Sequence, residues 1–133
     1  MAGRPVQWYS DHVDRLQLGR IGELAAVAHL EALGYRILER NFRCPLGEID
    51  VIAADRGITV FVEVKTRRTA AFGPPFEAIT RRKQRRLARL AAAYLQGRGG
   101  LEAPARFDAV AVAVGPNGRV EAVELLVDAF AAG

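Results

Sequence analysis

The sequence predicts a mixed α/β domain whose central sheet is flanked by helices, in the order helix, three strands, helix, two strands. Three observations carry that prediction. Apolar residues recur at three- and four-residue steps over 16–33 and 81–95, the period of a helix with one buried face. Strand-like runs occupy 35–43, 48–55, 58–67, 106–114 and 119–126. Gly, Pro and Asn collect between these runs, where the chain must turn. The 133 residues suit one domain spanning 1–133, with a loosely held arm at about 1–14 that carries Trp8 and Tyr9.

The first helix, Leu16 to Leu33, places Leu16, Ile21, Leu24, Val27, Ala28, Leu30 and Leu33 at helical spacing, and Gly34 supplies its stop. Gly19 and Gly22 lie inside it. Each costs up to about 1 kcal/mol relative to alanine, so close approach of another backbone is their expected reason. "YRILERNFR" (35–43) reads as an extended strand, and "CPLG" turns the chain. "EIDVIAAD" (48–55) and "ITVFVEVKTR" (58–67) form a hairpin around Arg56-Gly57, with the glycine supplying a positive φ. "TAAFGPPFEAI" (69–79) has Gly73, Pro74 and Pro75 in a row, which neither a regular helix nor a central strand accommodates. It is read as a loop with Phe72 and Phe76 as anchors or wedges. Thr80 is the expected N-cap of a second helix, Arg81 to about Leu95, with Leu87, Leu90, Ala91, Tyr94 and Leu95 on one side. "QGRGGLEAP" links it to the strand at 106–114, "GPNG" turns the chain again, and 119–126 is the last strand.

Half of the residues are apolar and about a quarter charged, enough to bury a core without covalent staples. The one cysteine, Cys44, has no internal partner for a disulfide, which fits a reducing compartment. No apolar run is long enough to span a membrane, and the first residues lack the apolar segment of a secretory signal. A cytoplasmic protein with no membrane partner is therefore expected. The net charge is +4 and the pI about 9.8. Its distribution is uneven: Arg81, Arg82, Lys83, Arg85, Arg86 and Arg89 crowd the second helix, and Arg67 and Arg68 lie just upstream. Such crowding is the electrostatic footprint of a polyanion partner, with a solvated helix face as the alternative.

Charged residues interrupt the most strand-prone stretch. Phe61, Glu63 and Lys65 point to one face of their strand and Val60, Val62 and Val64 to the other. Glu63 lies as far past the Arg56-Gly57 turn as Asp50 lies before it, so the two come level on strands about 4.8 Å apart. Two carboxylates that close repel each other unless a proton, Lys65 or a divalent cation neutralises them. A hard cation such as Mg²⁺ takes oxygen ligands, often only one or two carboxylates, with the carbonyl of Val64 as a further donor. Lys65 would then stand beside a water, able to orient it and to stabilise charge on a phosphate. Glu23 joins them if the first helix packs on this face. The alternative is a plain cross-strand ion pair of Lys65 with Asp50 or Glu63, contributing up to about 1 kcal/mol.

At these residues the sequence resembles a known family. "GRIGELAA", "GYRILERNFR", "GEIDVIA", "FVEVKTR", "FGPPFEAI" and "KQRRLARLAAAYL" look like the YraN family of small bacterial proteins. That family is similar to archaeal Holliday junction resolvases, within the restriction-endonuclease-like PD-(D/E)XK nucleases. The resemblance runs from about Leu18 to Leu126. It implies a restriction-endonuclease-like fold and metal-dependent cleavage of DNA, with branched or junction DNA as the substrate class. Residue by residue, it implies Asp50 and Glu63 as ligands of Mg²⁺ or Mn²⁺, Lys65 as the residue serving the nucleophilic water, and Glu23 as the helical glutamate. Ile49 stands where the proline of the wider motif would be. Cutting two strands implies a symmetric pair of chains, hence a homodimer.

The remaining candidates divide the same way. Arg67, Arg68, Arg82, Lys83, Gln84, Arg85 and Arg86 are the expected nucleic-acid contacts, Lys83 and Gln84 near a helix N-terminus that favours anions. Glu48 is read as a residue at the start of its strand, outside the site, and Asp108 as a surface or pairing residue. His12 and His29 have no partner at ligand spacing, so no zinc site is expected. Two other functions compete with a nuclease: a nucleic-acid-binding module without cleavage, carried by the arginine helix, and an interaction protein that uses Trp8, Tyr9 and the apolar loop.

Overall fold

The computed structural model describes residues 14–69, 79–100 and 103–131. Helix α1 (Arg15–Ala32) begins in a capping box: the Asp14 carboxylate accepts the Gln17 N–H at 2.8 Å, and the Gln17 side chain accepts the Asp14 N–H at 3.2 Å. Strands β1 (Arg36–Cys44), β2 (Gly47–Asp55) and β3 (Ile58–Arg68) follow, then helix α2 (Arg81–Gln96) and strands β4 (Ala105–Val114) and β5 (Val120–Phe130). At the β2–β3 turn Arg56 and Gly57 have φ of 50° and 84°, the paired left-handed residues of a hairpin whose twist matches its strands. Thr80 caps α2, its hydroxyl accepting the Lys83 N–H at 3.2 Å.

The five strands form one sheet in the order β1-β2-β3-β4-β5. Neighbours are antiparallel except β3 and β4, which run parallel across the crossover that contains α2. The element order is the one predicted, and the architecture is consistent with a restriction-endonuclease-like fold. The N-terminal arm with Trp8, Tyr9 and His12, and the loop residues Phe72 to Phe76, lie outside the described residues.

Among the described residues each face of the sheet carries one helix. Ala26 and Leu30 of α1 pack on Val51, Ala53, Val60, Val62, Val110 and Val112. Leu87, Leu90, Ala91, Tyr94 and Leu95 of α2 pack on Ile49, Ile52, Phe61 and Phe107. The α2 side is the one predicted. The α1 side is rotated from the prediction: Leu16 is 74 % exposed, and Leu24 and Leu33 are also exposed, while Gly22, Ala26 and Leu30 are buried. The reason is a close approach. Gly22 lies against the Thr66 side chain of β3, so small residues rather than leucines define the buried row. Gly19 has no such neighbour, and the contact at Gly22 is with a side chain rather than a backbone. Gly22→Ala is expected to destabilise the domain by about 1–3 kcal/mol through overpacking, measured by urea unfolding, and Thr66→Ala should recover part of the loss.

Strand β5 runs past the predicted end at residue 126. Phe130 pairs with Phe107 across a register shift, and their rings stack at 4.6 Å between centroids. Asp128, with φ of 57°, makes the irregularity that carries the strand on.

Candidate metal and nucleic-acid site

The site forms where the β2–β3 hairpin opens. The ladder pairs Asp55 with Ile58 at the turn and ends at Val51 and Val62; one further step would set Asp50 level with Glu63. There the strand's alternation breaks, since Ile49 and Ile52 both pack on the α2 side while Val51 packs on the α1 side. The Asp50 carboxylate takes over from the ladder and accepts the Val64 N–H at 2.8 Å.

Three carboxylates meet at this point. Glu23 of α1 and Glu48 and Asp50 of β2 each present an oxygen, and these oxygens lie within 4.8 Å of one another. Glu23 is held by β1: the Asn41 amide donates to it at 2.9 Å, and an Arg40 guanidinium nitrogen stands at 3.5 Å. Asn41 reaches it from a left-handed conformation, φ 55°. Glu48 pairs with Arg43 at 3.2 Å across the β1–β2 turn. Glu48 was expected outside the site. It belongs inside because its carboxylate converges with those of Glu23 and Asp50 where the alternation of β2 is interrupted.

Burial first, then the neighbouring Glu63, with smaller contributions from Glu23 and Glu48, push the Asp50 carboxyl up to about 7 against the opposing Val64 N–H. A carboxyl so placed is short of positive charge. The donors are all oxygens, which suits a hard divalent cation better than zinc or copper.

Glu63 has a different immediate partner. It forms an ion pair with Lys83, in the first turn of α2. Lys65, half-buried two residues beyond Glu63, makes no ion pair among the described residues. Sequence reasoning named Lys83 as a nucleic-acid contact and missed this pairing, which depends on how the crossover helix docks over β3. The Gln84 amide donates to the Ile79 carbonyl at 2.8 Å, inside the helix cap. Arg82, Arg85 and Arg86 project from the exposed face of α2, Arg67 is half-buried near the end of β3, and Arg68 is exposed.

Asp108, expected as a surface or pairing residue, pairs but is not at the surface. It is 1 % exposed and accepts from the Tyr35 hydroxyl at 2.8 Å, Arg106 Nε at 3.0 Å and the Asp128 N–H at 2.9 Å. Arg106 also reaches Asp55 at 2.8 Å. This network belongs to the β2–β3 turn end of the sheet and is separate from the acidic cluster.

Among the described residues no helix is long and apolar enough to cross a membrane. Residues 22–112 match the uncharacterised protein family UPF0102, a span that includes Glu23, Glu48, Asp50, Glu63, Lys65 and the arginines of α2. The chain is 53 % identical over 116 residues to a UPF0102 protein of Moorella thermoacetica, covering 87 % of this chain and 97 % of the relative. It is 54 % identical over 114 residues to one of Symbiobacterium thermophilum, covering 86 % and 96 %. A third, from Geobacter sulfurreducens, is 52 % identical over 97 residues, covering 73 % and 76 %. With identity near one half over most of its length, the chain belongs to the UPF0102 family, the YraN family that its motifs resemble.

Proposed function

We propose that this protein is a divalent-metal-dependent nuclease that hydrolyses phosphodiesters in DNA. The observation that carries the reading is the convergence of three carboxylates: oxygens of Glu23, Glu48 and Asp50 lie within 4.8 Å of one another, and Asp50, unlike Glu23 and Glu48, has no ion-pair partner among the described residues. Glu23, Glu48 and Asp50 would hold Mg²⁺ or Mn²⁺, whereas Glu63 is engaged with Lys83. When bound, the cation supplies Lewis-acid charge to the phosphodiester and makes a water more acidic.

The chain's own groups do the rest. Asp50 is oriented by the Val64 N–H, and Glu23 by Asn41 and Arg40, so the carboxylates are set before substrate arrives. Lys65, two residues beyond Glu63 on β3, would steady the attacking water and the charge that grows on the phosphate. The α2 arginines hold neighbouring phosphates and keep the strand in register with the carboxylates.

The direct test is purified protein with junction, flap and linear DNA, in Mg²⁺, Mn²⁺ or a chelator. Metal-dependent products on at least one substrate are expected. Intact DNA of every form in both metals would sink the nuclease reading. The Glu63–Lys83 pair favours a second reading, a nucleic-acid-binding module without cleavage, because it neutralises Glu63 with no metal. Under that reading Asp50→Ala leaves binding unchanged and Arg82, Arg85 and Arg86 together account for it.

A further inference from the structure

The exposed face of α2 and the β1–β2 turn enclose a cleft of about 370 Å³ lined by Arg82, Arg85, Arg86, Arg89 and Leu46. Four guanidinium groups facing one small volume repel each other, and none is in an ion pair among the described residues. No acidic residue lies in the first turn of α2 to offset them. The cleft therefore complements a ligand with several closely spaced negative charges.

Leu46 is the feature that a phosphate chain alone leaves unexplained. It stands at the tip of the turn, 43 % exposed, with arginines around it. The turn is seated on the helix: Gly47, at φ 140°, has the Arg86 stem and Leu90 so close that an added Cβ would touch both at 3.7 Å. An apolar tip held firmly beside phosphate-binding groups fits a base face. In a closed duplex that face is stacked and out of reach, and proteins that use apolar tips there open the step. The same segment leads to the acidic cluster, since Glu48 is two residues on, roughly 7 Å along an extended strand.

We propose that this cleft takes an unstacked nucleic-acid strand, as found at single-stranded, frayed or branched positions, with the arginines on its phosphates and Leu46 against a base. The proposal rests on the nuclease reading for its substrate but not on cleavage. It makes Leu46 the residue that selects opened strands over closed duplex.

The test is fluorescence anisotropy in chelator, where no metal-dependent cutting occurs, with one sequence presented as single strand, splayed duplex and closed duplex. The native protein should prefer the first two, and 2-aminopurine at the splayed position should brighten on binding. Leu46→Ala should reduce that preference by about tenfold and remove the brightening, with the salt dependence unchanged. Arg85→Ala with Arg89→Ala should weaken binding to all three and lower the log–log salt slope by about 1.5 to 2. All three side chains are exposed, and equal urea midpoints would check that the variants fold.

Equal affinity for the three forms, or a Leu46→Ala protein that keeps its preference, overturns the proposal. So does displacement of the strand by polyglutamate or anionic vesicles at matched charge, which would assign the cleft to an acidic protein or a lipid surface. A protein that binds as described but cuts nothing with metal refutes the nuclease reading and leaves this one standing. A metal-dependent nuclease whose strand preference ignores Leu46 does the reverse.

Discussion

Asp50→Asn is expected to lower metal-dependent cleavage by at least about 1,000-fold and, in the same protein, to stabilise the metal-free fold above pH 7. Both effects follow from one placement. Asp50 is held by the Val64 N–H among three other carboxylates, and burial first, then Glu63, raises it from 3.8 to about 7. Between about 4 and 7 the folded chain keeps a proton on Asp50 that the unfolded chain releases, so stability falls as pH rises through that window and levels off above it. The loss is on the order of 2–4 kcal/mol. Asparagine still accepts the Val64 N–H and carries no charge, so its pH profile should be flatter and lie above the native one at pH 8. Millimolar Mg²⁺ should raise the native melting temperature above pH 7 and leave Asp50→Asn where it was. Urea unfolding at pH 5 and 8, with and without metal, separates these outcomes. A native protein with no downward slope between them would show that Asp50 is not held in a proton-retaining environment.

The second large effect is structural. Asp108→Ala should cost about 3–5 kcal/mol, against a total of roughly 5–15 kcal/mol for a domain of this kind. Asp108 satisfies the Tyr35 hydroxyl, two Arg106 nitrogens and the Asp128 N–H, and removing it takes the acceptor from a buried phenol and a backbone N–H and leaves the half-buried Arg106 with Asp55 as its remaining carboxylate. Burial first, then the Asp108 hydrogen bond, pushes the Tyr35 hydroxyl up to about 12, so it remains a donor at any working pH. The Asp108 hydrogen bond also holds the Arg106 guanidinium above its ordinary range. Asp108→Asn keeps some of the acceptors and should cost less. Denaturant midpoints of the two variants, at unchanged slope, check the order; a loss below 1 kcal/mol for alanine would contradict the description of this network.

What the sequence reveals about this molecule is what depends on near neighbours. The hairpin at Arg56-Gly57, the Thr80 cap and the α2 apolar face are local patterns, and each stands where the residues put it. The hairpin register follows from counting out from that turn as far as Val51 and Val62. Glu48 was not legible, because the alternation of β2 is interrupted between Ile49 and Val51. Contacts that need tertiary docking were not either. Lys83 meets Glu63 only because the crossover helix lies over β3 in one rotation. Asp108 is buried only because Tyr35, Arg106 and the Asp128 backbone converge on it from three strands or their edges. The α1 face turned because Gly22, a poor helix former, is what Thr66 requires.

The parallel seam between β3 and β4 has a kinetic consequence. Every other pairing in the sheet joins consecutive strands through a short connection, whereas this seam brings together residues as far apart in the chain as Thr59 and Ala105. Closing so long a loop costs entropy before any contact rewards it, so high contact order concentrates here and the seam is the expected late step of folding. The Asp55–Arg106 pair bridges the two halves across it. Weakening that bridge should speed unfolding more than it slows folding, so the bridge prolongs the lifetime of the finished fold rather than hastening its formation.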